Sequence, residues 1–318
     1  MTGADLRGID LPGRALRLGT RRSPLALAQS GMMARALEAR WPGLSVELVP
    51  IITTGDVVPG DLAKVGGKGL FTQELEHGLL DGSLDLAVHS MKDLPVRLPE
   101  GLVVAAHPER ANPRDVLVSE VADGLDGLPE GAVVLTGALR RRAQILMRYP
   151  SLRVEPLRGN VDTRLRKWRE SGAGGVVLAG AGLERLGLVD LPAHPIPTDV
   201  MLPAPTQGTL ALEVRAGTVA ETLCRALDHA PTARAADAER RVVAAFGADC
   251  TLPLAAWARE EDGRLRLIAL LATPDGRHSA RGEAAGTDPT VVAAACVEAM
   301  RGEGADEILE RIRGPLTP

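Results

Sequence analysis

The sequence predicts an α/β protein of two doubly wound units followed by a small α+β tail. Apolar runs alternate with helical patterns over most of the chain, which implies parallel βαβ units with helices on both sheet faces. Proline-bearing polar stretches at 107–114 and 195–209 break that alternation and mark candidate boundaries. After residue 230 the pattern becomes helix, hairpin, helix, and reads as a separate domain. The chain has 318 residues, 45% of them hydrophobic, enough for two or three domains with their own cores.

In order, residues 1–14 read as an extension and Ala15 to Gly19 as the first strand. Ser23-Pro24 opens a helix, with serine as N-cap and proline in the first turn, and Trp41-Pro42-Gly43 stops it. Leu44 to Ile52 is a strand. Residues 53–69 are long, Gly-rich and charged, and are expected to form a mobile lid. They are not a phosphate-binding Walker loop, because Gly69 follows Lys68 where Ser or Thr is needed. Phe71 to Leu80 is a helix. Leu84 to Val88 alternates as a strand that ends in His89-Ser90-Met91-Lys92-Asp93-Leu94-Pro95, and Leu102 to Ala106 is the next strand.

A second run of the same kind begins at Asp115. Strand Ala132 to Leu135 leads through Thr136-Gly137 into a helix carrying Arg140, Arg141 and Arg142. Strand Leu152 to Leu157 ends in Arg158-Gly159-Asn160, ahead of a helix with Arg164. Strand Gly175 to Ala179 ends in Gly180-Ala181-Gly182. Then come strand Leu210 to Val214, helices over 218–227 and 232–246, a hairpin of 254–259 with 264–271, and a closing helix over 291–301.

Net charge is −4, so the whole molecule has no electrostatic pull toward nucleic acid or anionic membranes. With 2% aromatic residues there is little to stack on bases. No apolar run approaches the ~18 residues of a membrane span. Cys224, Cys250 and Cys296 are scattered and odd in number, which suits a reducing cytoplasm better than a disulfide framework. The six histidines show no metal-ligand spacing, so no metal is expected. His89 and Ser90 point to opposite faces of a strand, which rules out a Ser-His-Asp triad there.

Ser90, Lys92 and Asp93 stand just past a strand end, where open α/β sheets bind ligands. A carboxylate beside an ammonium stays ionised, which suits repeated proton handling. Arg21, Arg140, Arg141, Arg158 and Arg164 all fall at strand-to-helix turns, while Arg142 reads as a solvated helix face. Five such arginines imply a polyanionic ligand, and guanidinium forks hold carboxylates bidentately. Cys250 sits in a loop, Gly247-Ala248-Asp249-Cys250-Thr251-Leu252-Pro253, where a thiol can serve as an attachment point; Cys224 and Cys296 read as core.

Five stretches taken together carry a resemblance to a known family. They are Leu18-Gly19-Thr20-Arg21-Arg22-Ser23-Pro24-Leu25-Ala26, Lys64-Val65-Gly66-Gly67-Lys68-Gly69-Leu70-Phe71, Val88 to Pro95, Leu157-Arg158-Gly159-Asn160-Val161-Asp162-Thr163-Arg164, and Leu202-Pro203-Ala204-Pro205. In this order they resemble the hydroxymethylbilane synthase, or porphobilinogen deaminase, family over nearly the full chain. The resemblance implies two domains like those of type II periplasmic binding proteins, residues 1–108 with 209–228 and residues 114–202, and an α+β domain, residues 231–318. It implies a cytoplasmic, monomeric transferase that joins four porphobilinogens with release of ammonia and hydrolyses off hydroxymethylbilane. The implied cofactor is a dipyrromethane held by a thioether to Cys250. Asp93 matches the catalytic aspartate. Arg21, Ser23, Ser90, Lys92, Arg140, Arg141, Arg158 and Arg164 match the holders of cofactor and growing chain, with donors at Thr136 and Gly137 and Lys68 acting from the lid. Three residues depart from the family pattern: Ala138 for a usual Ser, Thr206 for a usual Gly, and Asp249 for the Gly before the cofactor cysteine. A member with impaired catalysis, or an anion-binding module of the same architecture, are the alternatives.

Overall fold

A computed structural model describes residues 13–54, 72–247 and 252–314. The chain divides into two compact units, one of residues 1–89, 98–107 and 211–228, the other of residues 90–97, 108–210 and 229–318.

The first unit is built on a five-stranded sheet of β1 (Leu16–Arg21), β2 (Val46–Ile51), β3 (Leu86–Ser90), β4 (Leu102–Ala106) and β10 (Leu210–Arg215), in the order β2-β1-β3-β10-β4. Helix α1 (Pro24–Arg40) joins β1 to β2. Its N-cap is Ser23, whose hydroxyl accepts the Ala26 N–H at 3.3 Å. Helix α2 (Gln73–Asp81) precedes β3, and α6 (Val219–Arg225) follows β10. Leu18, Leu86, Ala87 and Leu212 are buried, as expected for strands covered on both faces.

The second unit holds two sheets. One orders β5 (Asp115–Val118), β6 (Val133–Thr136), β7 (Arg153–Pro156), β8 (Gly175–Ala179) and β9 (Ala193–Pro195) as β7-β6-β8-β5-β9, with α3 (Leu139–Arg148), α4 (Val161–Ser171) and the short α5 (Gly180–Arg185) between strands. The other is an antiparallel meander, β11 (Leu254–Glu261), β12 (Arg264–Ala272) and β13 (Ser279–Gly286), packed against α7 (Ala230–Ala245), α8 (Pro289–Gly302) and α9 (Ala305–Arg313).

The α/β class and its βαβ units stand as expected, with one correction. β1 pairs in parallel with β2 and β3, and β6 with β7 and β8, but β10 runs antiparallel to β4, and β5 antiparallel to β8 and β9. β5 and β10 are the strands reached directly from the proline-bearing stretches, without a crossover helix to turn them parallel. Both sheets therefore share one plan: second, first and third strand, then an antiparallel arrival strand.

β13 and α9 escaped the sequence reading. β13 is Ser-Ala-Arg-Gly-Glu-Ala-Ala-Gly, poor in strand-forming residues. Its small residues serve packing: a Cβ built on Gly282 would stand 2.3 Å from the Cys296 carbonyl oxygen, so only glycine lets α8 approach this closely.

Glu239 of α7 is fully buried and collects bonds from three segments of the second unit. It accepts Arg110 Nη1 at 2.6 Å and Nη2 at 3.2 Å, the Ala258 N–H at 2.6 Å, and the Thr206 N–H. Thr206 has φ 59°, in the left-handed region that disfavours β-branched residues. A glycine there removes strain worth about 1–2 kcal/mol and costs about 0.4–1 kcal/mol through the freer unfolded chain. Thr206→Gly keeps the bond to Glu239. Its thermal unfolding midpoint is expected to hold or rise by up to about 3 °C; a fall of several degrees in calorimetry would contradict this account.

Candidate functional site

The site grows from the end of β3. After Ser90 the chain makes one 3-10 turn, Met91–Asp93, closed by the Leu94 N–H donating to Met91 O at 3.2 Å. Met91 N–H donates to Thr209 O at 3.0 Å. Pro95 has no N–H to continue a helix. The segment beyond is fixed by Arg240 of α7, which donates to the carbonyl oxygens of Leu94 at 3.1 Å, Pro95 at 2.7 Å and Val96 at 2.9 Å. The Asp93 side chain is thus held on a stiff turn and stays exposed.

Behind it lies a charged cluster around Asp115, the first residue of β5. Asp115 Oδ1 accepts Arg141 Nε at 3.1 Å and Gln207 Nε2 at 2.8 Å, and lies 2.9 Å from Arg141 Nη2. Its Oδ2 lies 2.8 Å from Arg140 Nη2. Arg140 Nη1 also donates to Leu202 O at 2.5 Å, and Arg141 Nη1 to Val177 O at 2.9 Å. Burial alone would push the Asp115 carboxyl up. The charges of Arg140 and Arg141 and the hydrogen bonds from Gln207 and Arg140 outweigh it and hold the group at about 2. Burial pushes the Lys92 ammonium below the usual lysine range; Asp93 and Asp115 act against that shift, while Arg141 and Arg140 add to it.

Arg164 stands one turn into α4, whose N-cap Asn160 accepts the Thr163 N–H at 2.9 Å. Its Nε is buried and meets no acceptor among the described residues. Burial lowers its pKa, Arg141 and Arg158 lower it further, and only Asp93 opposes them. A buried guanidinium nitrogen without a protein acceptor is suited to an external carboxylate. The neighbouring turn leaves room for little else: a Cβ on Gly137 would stand 2.5 Å from Leu157 O. Thr136 is buried, and its hydroxyl accepts the Ala138 N–H at 3.3 Å. Ala138 is the N-cap of α3 and offers no side-chain cap, so its departure from serine costs about 1 kcal/mol of capping.

The second unit thus brings Lys92, Asp93, Arg140, Arg141, Arg158 and Arg164 into one electrostatic cluster. Ser90, which ends β3, is half-buried, and Arg158 is exposed at its turn. Arg21 and Ser23 belong to the first unit, at the end of β1 and the start of α1. Lys68, Asp249, Cys250 and nearly all of the 53–69 loop lie outside the described residues. Arg142, expected as a solvated face, is instead half-buried and donates to Pro274 O and Val154 O, both at 3.3 Å. The His89 ring faces Glu213 at 2.8 Å, both buried, away from any triad. Among the described residues, no group of His, Cys, Asp and Glu could hold a metal ion, and no helix is long and apolar enough to cross a membrane.

Sequence reasoning missed Arg185, Gln207 and Arg240. Arg185 donates to Gly208 O at 2.6 Å, and its buried Nε meets no acceptor among the described residues. It follows Gly180-Ala181-Gly182, the same strand-to-turn device that flagged the other arginines, and that was the available signal. Gln207 and Arg240 carried no local signal.

Comparison with known proteins gives two family matches. Residues 16–222 match the model described as porphobilinogen deaminase, dipyromethane cofactor binding domain, and residues 233–303 match its C-terminal domain. A porphobilinogen deaminase of Acidithiobacillus ferrooxidans is 45% identical over 301 residues, 94% of this chain and 98% of the relative. Those of Moorella thermoacetica and Rubrobacter xylanophilus are 46% and 48% identical, each over 94% of this chain and over 96% and 98% of their own lengths. Among solved structures, the periplasmic aliphatic sulphonate binding protein SsuA of Escherichia coli is similar at TM-score 0.40 and 14% identity, over 74% of this chain and 71% of its own.

The structure seats Arg140 against a carboxylate of the protein, Asp115, beside whatever ligand contact it makes. Arg140→Leu leaves Asp115 short of one partner in a buried setting. Denaturant unfolding is expected to show a loss of about 3–5 kcal/mol, and a smaller loss in Arg140→Lys, which keeps a positive charge beside Asp115. Wild-type stability of the Leu variant would mean the pair carries no such load.

Proposed function

We propose a division of work among these residues, from the premise that this chain belongs to the porphobilinogen deaminase family. Its activity is that of hydroxymethylbilane synthase: four porphobilinogens are joined head to tail with release of ammonia, and the linear hydroxymethylbilane is then hydrolysed off. The family carries a dipyrromethane cofactor bound covalently through cysteine. A binding module without chemistry is not favoured, because the relatives named as deaminases match along 94% of the chain.

Loss of ammonia leaves an electrophilic methylene-pyrrole cation on each incoming substrate. Asp93 is the carboxylate that stabilises this charge and accepts and returns protons. The observation that carries this reading is its place on a stiff turn, exposed, close enough to Lys92 and to Arg164 for its charge to act on both. Bound dipyrromethane supplies the pyrrole carbon to which the first substrate is joined. Its acetate and propionate groups fit the donor set, since Arg164 and Arg185 each present a buried nitrogen lacking an acceptor among the described residues. Arg158, Ser90, Lys92, the Gly137 turn, Arg21, Ser23 and Lys68 complete the holders of pyrrole carboxylates. Thr136 shapes the turn, and Arg140 and Arg141 set the field from behind while held by Asp115.

Cys250 is the attachment residue. The chain divides into domains 1–108 with 209–228, 114–202 and 231–318, a division supported by its three separate sheets. We read the enzyme as a cytoplasmic monomer; its buried free thiols suit a reducing compartment.

Asp93→Asn keeps the size and loses the charge. Porphobilinogen consumption at matched cofactor loading is expected to fall at least ~10²-fold, with Asp93→Glu retaining more than Asn. Turnover by the Asn variant within a few-fold of wild type would remove Asp93 from the mechanism. For attachment, intact mass is expected to exceed the sequence mass by two linked pyrrole units, an increment absent in Cys250→Ser. An unmodified, fully active wild type would refute it.

A further inference from the structure

Gln207 lies in the proline-rich return stretch, almost completely buried, and no motif flagged it. An amide side chain has two donors on nitrogen and an acceptor on oxygen, and its neighbours decide which end points where. Here Nε2 donates to Pro113 O at 2.7 Å and to Asp115 Oδ1 at 2.8 Å. Both partners can only accept, so the amide has one admissible orientation. Its Oε1 is thereby turned to Lys92 Nζ, 3.3 Å away.

We propose that Gln207 is a positioning residue for the reaction, fixing the Lys92 ammonium beside Asp93 and coupling it to the Asp115–Arg140–Arg141 cluster. The proposal rests on the roles given above to Lys92 and Asp93. Among the described residues, the charges that act most strongly on Lys92 are Asp93 on its own turn, Asp115 on β5, and Arg140 and Arg141 on α3. Two carboxylates against two guanidiniums leave the ammonium in a field of near balance. A neutral amide oxygen then stabilises the charged amine without adding charge. A carboxylate at 207 would draw Asp115 and the arginines out of balance, and an apolar group would leave Lys92 without this acceptor.

The sign of each change follows. Removing the acceptor disfavours the ammonium, so in Gln207→Leu Lys92 loses its proton at lower pH. A carboxylate in its place favours the ammonium, so in Gln207→Glu Lys92 keeps its proton to higher pH, by roughly one unit. Two readouts apply. One is the alkaline limb of porphobilinogen turnover at matched cofactor loading. The other, independent of activity, is the pH dependence of amine acylation at Lys92, read by peptide mass spectrometry on the full chain carrying the attachment-blocking Cys250→Ser change. Opposite shifts in the two variants support the proposal, and a purely structural role for Gln207 gives no opposed pair. If the Leu variant does not fold, the Glu variant alone must show the upward shift in acylation. Unchanged midpoints, or shifts of the same direction in both, overturn it. Asp93→Asn and Lys92→Met, assayed in parallel, separate the two levels. Undiminished turnover in those variants defeats the proposed function; diminished turnover with unmoved Gln207 midpoints defeats only this inference.

Discussion

The site depends on one buried carboxylate. Asp115 has no exposed surface, yet it stays ionised because Arg140 and Arg141 approach it from one helix and Gln207 from the return stretch. The dependence is mutual. Two adjacent guanidiniums could not be buried at the start of α3 without a negative partner, since each carries a desolvation cost of several kcal/mol. Asp115 opens β5, the strand that enters the sheet antiparallel. The departure from a purely parallel sheet and the charge of the site therefore have one origin: the crossing chain delivers its first residue under the ends of its neighbours.

The second unit uses the same chemistry again at Glu239. A buried carboxylate takes a two-pronged arginine, Arg110, and backbone N–H groups from separate segments. Arg110 also donates to Gln207 O at 2.8 Å, so the backbone of the residue that orients Lys92 is tied to this second cluster. Arg240, on the same helix as Glu239, fixes the carbonyls just after Asp93. Residues far apart in sequence thus act on the position of one short turn.

Much of this was legible in the sequence. Strand-to-helix turns, the Ser23-Pro24 cap and the proline-rich crossings are local signals, and the elements they mark are present. The turn arginines were found by the same logic. Their partners were not, because a helix arginine and a strand aspartate 25 residues earlier share no pattern until the sheet order is known, as with Arg140 and Asp115. That is why Arg142 reads as a solvated face in the sequence although it donates to Pro274 O and Val154 O. β13 was missed for a physical reason as well: its alanines and glycines are chosen for close approach to α8, which erases the β-branched signature.

Cys224 and Cys296 are both buried, and burial pushes both thiols up to about 12. At neutral pH only about one in 10⁵ of such groups is a thiolate, the form that adds to electrophiles. An enzyme that generates reactive methylene-pyrrole cations at every cycle is exposed to alkylating itself. By packing Cys224 and Cys296 into helix cores, the fold takes both of these thiols out of competition for such electrophiles.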